Sequence, residues 1–221
     1  ILASASAAYC VFRSLGAAPC PKGEAVVVSP APRGDAAAAP RGGGKALVKV
    51  FAFHKDEAFL LGDWLYYHAS VFGAENVVVV DHQSSDPDVL GLLDAYARRG
   101  VSVVPFAGKF GEKAEALSAA MRAAAATADF LVPMDIDEFV VLEEAGGAAI
   151  AADGARIRAE FAALPRDEPR KFKFSSRVAA CPDAAAESSS PSAKRPALVT
   201  AFSPAKSTAM GKTFFRGGYG F

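Results

Sequence analysis

Apolar positions between Ala46 and Glu138 alternate between two rhythms. ALVKVFAF, from Ala46, is a Val- and Phe-rich run of strand type. The stretch after it, HKDEAFLLGDWLYYHASVFG, carries Leu60, Trp64, Leu65, His68, Val71 and Phe72 at helical spacing and stops at Gly73. ENVVVVD at 75–81 is a continuous apolar run of the kind buried on both faces of a parallel sheet. Asp86 with Pro87 reads as a helix start; Val89, Leu92, Leu93 and Tyr96 then face inward, and Gly100 ends the element. VSVVPF at 101–106 is the next strand and EKAEALSAAMRAAAATA the next helix. DFLVPMD at 129–135 is the fourth strand, and it runs straight into the DIDEF segment.

Four strands separated by three helices, with short connections, predict right-handed βαβ units. The fold class that follows is α/β, an open and mostly parallel sheet with helices on both faces. After Val141 the pattern loosens. Ala148 to Leu164 reads as a helix, KFKFSSRV as a strand, CPDAAAESSSPSAKRP as an exposed low-complexity loop, and LVTAF and KTFFR as short strands. At the other end, Pro19 to Lys45 is rich in Pro, Gly, Ala and Arg and reads as a linker. The expected organisation is therefore an apolar stretch and linker over 1–45 followed by one domain over 46–221. Ile1 to Phe12 is shorter than the roughly 20 residues that span a bilayer. It reads either as the end of a signal anchor or as an ordinary buried segment.

Composition changes this picture in few places. Of the 221 residues 52 % are hydrophobic, but 48 are alanines, which bury little area each, so the 16 phenylalanines and the Val and Leu runs must supply the core. Basic and acidic residues both number 24, so no global field steers the protein toward nucleic acid. The charges are unevenly spread: Asp153 to Phe221 holds 12 basic and 6 acidic residues, and the acids concentrate between Asp56 and Glu144. Cys10, Cys20 and Cys181 show no CxxC spacing, and no zinc site follows from them.

In open α/β sheets ligands bind outside the carboxyl ends of the strands. Those ends are acidic here. The first strand ends in His54, Lys55, Asp56 and Glu57, the second in Asp81, His82, Ser84, Ser85 and Asp86, and the fourth in Asp135, Asp137 and Glu138. Carboxylates brought so close repel unless a cation sits among them, and a divalent metal with a phosphorylated ligand answers that need. If Asp135-Ile136-Asp137 is extended, alternation points both carboxylates to one side, where they reach one hard cation while Ile136 packs behind. The chain has no GxGxxG after the first strand, no GxxxxGK[ST] and no GxSxG, which removes support for dinucleotide, P-loop and hydrolase readings. His68 reads as a packed core residue, whereas His54 and His82 lie where a base could stack or hydrogen bond.

These segments resemble a known family. HKDEAFLLGDWLYYHASVFGAENVVVVDHQSSD is similar to the opening of glycosyltransferase family 92 and family 2 type enzymes, in which a strand, an N/K-E turn, a W-x-x-Y-H helix and a D-x-x-S-x-D loop occur in this order. DFLVPMDIDEFV resembles their D-x-D-E-F segment, and the two matches together span about 45–142. The resemblance implies a GT-A type domain that transfers a sugar from a nucleotide-diphosphate sugar to the hydroxyl of a glycan or glycoconjugate. It implies that His54, Asp81, Asp86, Lys113 and Asp135 hold the donor and that Asp135 and Asp137 hold Mn²⁺ or Mg²⁺. Glu138 is the candidate catalytic base. It also implies a lumenal domain of a Golgi or secretory-pathway membrane, with an anchor N-terminal to Ile1. These enzymes continue past a KTFFR-like segment to a histidine that completes the metal site. No histidine follows His82 here, so the chain is expected to be a piece lacking that ligand. Two other classes share such a sheet: nucleotidyltransferases acting on a sugar phosphate, which begin with a glycine-rich loop that FAFHKDEA lacks, and non-catalytic sugar- or partner-binding members.

Overall fold

The computed structural model describes residues 8–13, 46–143, 150–151, 153–164, 171–173, 175–180, 203–208 and 213–218. In chain order they form strands β1 (Ala8–Arg13) and β2 (Ala46–His54), helix α1 (Leu61–Phe72), β3 (Val77–Asp81), α2 (Pro87–Ala97), β4 (Ser102–Pro105) and α3 (Lys113–Ala124). There follow β5 (Ala128–Met134), β6 (Glu138–Glu143), β7 (Ile150–Ala151), α4 (Gly154–Ala163), β8 (Lys171–Lys173), β9 (Ser175–Ala180), β10 (Ser203–Thr208) and β11 (Thr213–Arg216).

A six-stranded sheet in the order β4-β3-β2-β5-β11-β8 is the frame of the molecule. The neighbours β4, β3, β2 and β5 run parallel, and β11 lies antiparallel between β5 and β8. Alternation along β2 splits the interior in two. Val48, Val50 and Ala52 enter the core shared with α1, α2 and α4, while Phe51 and Phe53 enter the one under α3. Val77 to Val80 of β3 divide in the same way, so an unbroken valine run is buried on both faces, as a central parallel strand requires. Trp64, Leu61, Leu65 and Phe130 have no exposed surface, and burial of each such side chain stabilises the fold by about 1.5–3 kcal/mol.

Local rules account for the element ends. Asp86 caps α2, its Oδ1 accepting the Asp88 amide at 2.9 Å, with Pro87 in the first turn. Gly73 closes α1 at φ 93°, a conformation that costs glycine least, and its amide donates to the Ala69 carbonyl at 2.9 Å. Gly217, just past β11, lies so close to β5 that a Cβ there would meet the Ala128 carbonyl oxygen at 1.8 Å.

A second sheet, in the order β10-β9-β1-β6-β7, joins segments far apart in sequence. Its strand β1 comes from the apolar N-terminal stretch and pairs antiparallel with β6 and parallel with β9. Residues 14–45, which include the linker expected over 19–45, lie outside the described residues. Two expectations change. The helix placed over 148–164 starts only at Gly154, because Asp153 caps it with Oδ1 on the Ala155 and Arg156 amides, and Ile150–Ala151 pairs with β6 instead. KFKFSSRV divides into β8 and β9, which belong to different sheets. LVTAF and the low-complexity 181–196 lie outside the described residues, whereas KTFFR supplies β11. The architecture is α/β with an open, mostly parallel sheet covered on both faces. Among the described residues no helix is long and apolar enough to cross a membrane.

Candidate functional site

The strand order places a switch point between β2 and β5: the chain leaves β2 toward β3 on one side and reaches β5 on the other. The acidic segments follow the carboxyl ends of these three strands, and two differently built loop regions present them.

The first region joins the loops after β2 and β3. His54 and Asp81 stand opposite each other in the parallel register, and the His82 amide donates to the His54 carbonyl at 2.8 Å. The Asp81 carboxylate accepts the Ser84 hydroxyl at 2.5 Å on Oδ1 and the Ser84 amide at 3.3 Å on Oδ2. That hydroxyl in turn accepts the Asp56 amide at 2.9 Å. Asp56 answers across the gap: its Oδ1 accepts the amides of Ser85 and Asp86 at 2.6 and 2.9 Å. Those two amides hold the Asp56 carboxyl below the usual carboxylate range. Asp56 and Gln83 both sit at positive φ, 48° and 53°. His54 is 2 % exposed, and neither ring nitrogen has a hydrogen-bond partner among the described residues. Burial pushes its pKa down, against the opposing charges of Asp81, Glu57 and Asp56.

The second region is the turn after β5. The expectation of an extended Asp135-Ile136-Asp137 is corrected here. The Glu138 amide donates to the Asp135 carbonyl at 3.0 Å and closes a turn over Ile136 and Asp137, so strand alternation does not set the direction of the two carboxylates. Ile136 does pack behind, against the larger core. Glu138 is fully buried and its Oε2 accepts the Asp135 amide at 2.7 Å, bracing the turn from within. A carboxylate so enclosed presents no surface to an acceptor hydroxyl. Asp135 and Asp137 are partly exposed, and Asp135 pairs with the Lys113 ammonium from the start of α3.

Helix α1 braces this turn from below. The Tyr67 hydroxyl donates to the Val140 carbonyl at 2.5 Å, and the His68 ring stacks on Phe139 at 5.7 Å between centroids. His68 is fully buried. Its Nδ1 faces the Trp64 carbonyl at 3.0 Å and is therefore the protonated nitrogen, and desolvation pushes its pKa down to about 3. The W-x-x-Y-H segment thus packs on the strand that follows the DID turn. His82 belongs to the other core: its Nε2 lies 2.7 Å from the Gly108 carbonyl and its ring packs among Phe53, Phe106 and Phe110.

The fold pairs Asp135 with Lys113, with Asp137 two residues on in the same turn, and sets His54 opposite Asp81, while Asp86 is engaged in capping α2. Sequence reasoning named Asp56 and Ser84 at strand ends without giving them a role. The signal available was the D-x-x-S spacing and an aspartate able to take a left-handed conformation. Among the described residues no three His, Cys, Asp or Glu side chains gather in a group able to hold a metal ion. Two carboxylates on one turn do suit a hard cation of the Mg²⁺ type, which takes one or two protein carboxylates and completes its shell with phosphate oxygens and water.

No protein-family model matches the chain, and no curated protein matches it. Among solved structures, a cytidylyltransferase from Leptospira borgpetersenii serovar Hardjo-bovis (strain JB197) is similar with a TM-score of 0.31 and 20 % identity. The match covers 42 % of this chain and 42 % of that one, so the chain spans less than half the length of that structure. A likeness of that extent carries no inference about activity.

Proposed function

We propose that the chain is a metal-dependent glycosyltransferase domain of the GT-A type, which transfers a sugar from a nucleoside-diphosphate sugar to an acceptor hydroxyl. The observation that carries the reading is the meeting of Asp135, from the DID turn, with Lys113, from the start of α3, at the switch point of the sheet. Two aspartates on one turn, the first paired with an ammonium, are suited to a diphosphate and its counter-cation.

Roles follow from chemistry. Asp81 keeps acceptor capacity beyond its bonds to Ser84, and Asp86 keeps its second oxygen, so each can take a base or ribose donor group. His54 is nearly as enclosed as Glu138, so its ring reaches the same nucleoside only where the loops after β2 and β3 open. Asp137 together with Asp135 would hold Mn²⁺ or Mg²⁺, which stabilises negative charge on the departing diphosphate as a Lewis acid. Lys113 adds a fixed positive charge where that charge develops. Glu138 we assign to holding the turn rather than to proton transfer, because its carboxylate is enclosed and spent on the Asp135 amide.

Calorimetric titration of uridine and guanosine diphosphates, with Mn²⁺ and with chelator, tests the reading on the wild type and on Asp137→Ala. Binding that Mn²⁺ strengthens, with that gain lost in Asp137→Ala, is the expected result, and release of free sugar from a bound donor separates sugar transfer from nucleotidyl transfer. A folded wild type that binds neither nucleotide would overturn the proposal.

A further inference from the structure

The loops after β2 and β3 are joined by an arrangement that neither motif of the site requires. Asp56 lies 29 and 30 residues before Ser85 and Asp86, yet one of its carboxylate oxygens takes both their amides, at 2.6 and 2.9 Å. Its second oxygen faces the Ser85 hydroxyl at 3.4 Å. The return bond, from the Asp56 amide to the Ser84 hydroxyl at 2.9 Å, reaches the group that occupies Asp81 Oδ1 at 2.5 Å. A single route of hydrogen bonds therefore runs from Asp81 through Ser84 to Asp56, and from Asp56 to the Asp86 backbone at the head of α2. Asp56 and Gln83 hold left-handed backbone angles, a conformation that costs a non-glycine residue energy and persists where surrounding bonds fix it.

From this geometry we infer that Asp56 is a positioning residue that sets Asp81 and Asp86 for the nucleoside part of the donor. The inference rests on the donor-site reading above. Asp56 acts through the loop rather than by touching the ligand. The clamp needs the side chain's length and its acceptor oxygen, which its charge only strengthens: asparagine carries one carbonyl oxygen with two lone pairs at the same reach and can accept both amides, while alanine accepts neither. Removal of the clamp frees the β3–α2 loop and with it the Asp81 rotamer that Ser84 holds.

The test compares wild type, Asp56→Ala, Asp56→Asn and Asp137→Ala by titration with uridine and guanosine diphosphates, with and without Mn²⁺, each variant first shown to unfold cooperatively. The expected result is a loss of about tenfold or more in nucleotide affinity for Asp56→Ala, equal in the presence and absence of Mn²⁺, with Asp56→Asn restored to near the wild-type value. Asp137→Ala, in contrast, loses only the Mn²⁺-dependent part. Wild-type affinity in Asp56→Ala, or an Asp56→Asn variant as weak as Asp56→Ala, overturns the inference and leaves the donor reading standing. A wild type that binds neither nucleotide overturns both.

Discussion

The two loop regions at the switch point hold their carboxylates by opposite means. After β5 the DID turn rests on a dry brace: Glu138 is enclosed beneath it, and Tyr67 and His68 of α1 grip the strand that follows. After β2 and β3 the loops are tied in partial contact with water, by Asp56, Ser84 and backbone amides. A buried polar group left without its partner costs its full desolvation penalty, whereas a group at the surface turns to solvent. Damage to the brace should therefore register as lost stability, and damage to the clamp mainly as lost nucleotide affinity.

The largest effect is expected at Glu138. Glu138→Ala removes the acceptor of the Asp135 amide and opens a cavity, and should cost about 2–4 kcal/mol in urea unfolding. Glu138→Gln keeps an oxygen at the same reach and should cost less than half as much. An alanine variant that unfolds at the wild-type midpoint would break the distinction between the two regions.

The brace should also be sensitive to acid. The unfolded chain protonates His68 near its ordinary value of 6.5, whereas the folded chain holds it neutral down to about 3. Protons thus favour the unfolded state across that window. The stability associated with neutral His68 is complete above pH 6.5, falls by about 1.4 kcal/mol for each unit below it, and is gone near pH 3. His68→Phe keeps a ring between Phe72 and Phe139 and loses the bond to Trp64, at about 1 kcal/mol near pH 7. Urea midpoints from pH 7 to pH 4 should show the variant overtaking the wild type as the pH falls, and parallel curves would show that His68 is not held neutral.

The brace and the clamp also differ in how far they could be read from the chain. The parallel core was legible, because Val77 to Val80 and the face bearing Trp64, Leu65 and His68 carry their burial in local periodicity. The second sheet was not. It pairs Ala8–Arg13 with Glu138–Glu143 and Ser175–Ala180, and pairing across such separations leaves no period in any one segment. Within the site, DID was visible as a motif, but its conformation was misread as extended, since the Glu138 amide closing it onto Asp135 belongs to the turn and not to the apolar pattern. The clamp at Asp56 depends on two loops meeting across 29 residues, and the Lys113 pair on the start of one helix lying beside the end of one strand. Neither proximity is written in spacing.

Smaller effects sharpen the comparison beside the clamp, at two aspartates of equal charge in different positions, Asp86 at the cap of α2 and Asp94 inside the helix. Asp86 gives its Oδ1 to the Asp88 amide at the helix start, and Asp86→Ala should cost about 1 kcal/mol, since an uncapped first turn leaves an amide without its acceptor.

Asp94 sits in the same helix and pairs with Arg98 one turn on, but both side chains are 66 % exposed. An exposed pair at this spacing gains little over water and is screened by salt, so Asp94→Ala should cost only about 0.3–0.5 kcal/mol, shrinking further at high ionic strength. The ratio of the two losses is the useful quantity. A loss for Asp86→Ala two or more times that for Asp94→Ala, insensitive to salt, would show that the aspartate at the loop end works through its hydrogen bond to the backbone. Equal losses that fade together as salt rises would reduce it to surface charge. A cap tied to the backbone would also hold its place when the Asp86 amide is bound by Asp56, and the helix start and the clamp would then be one hydrogen-bonded unit rather than two neighbours.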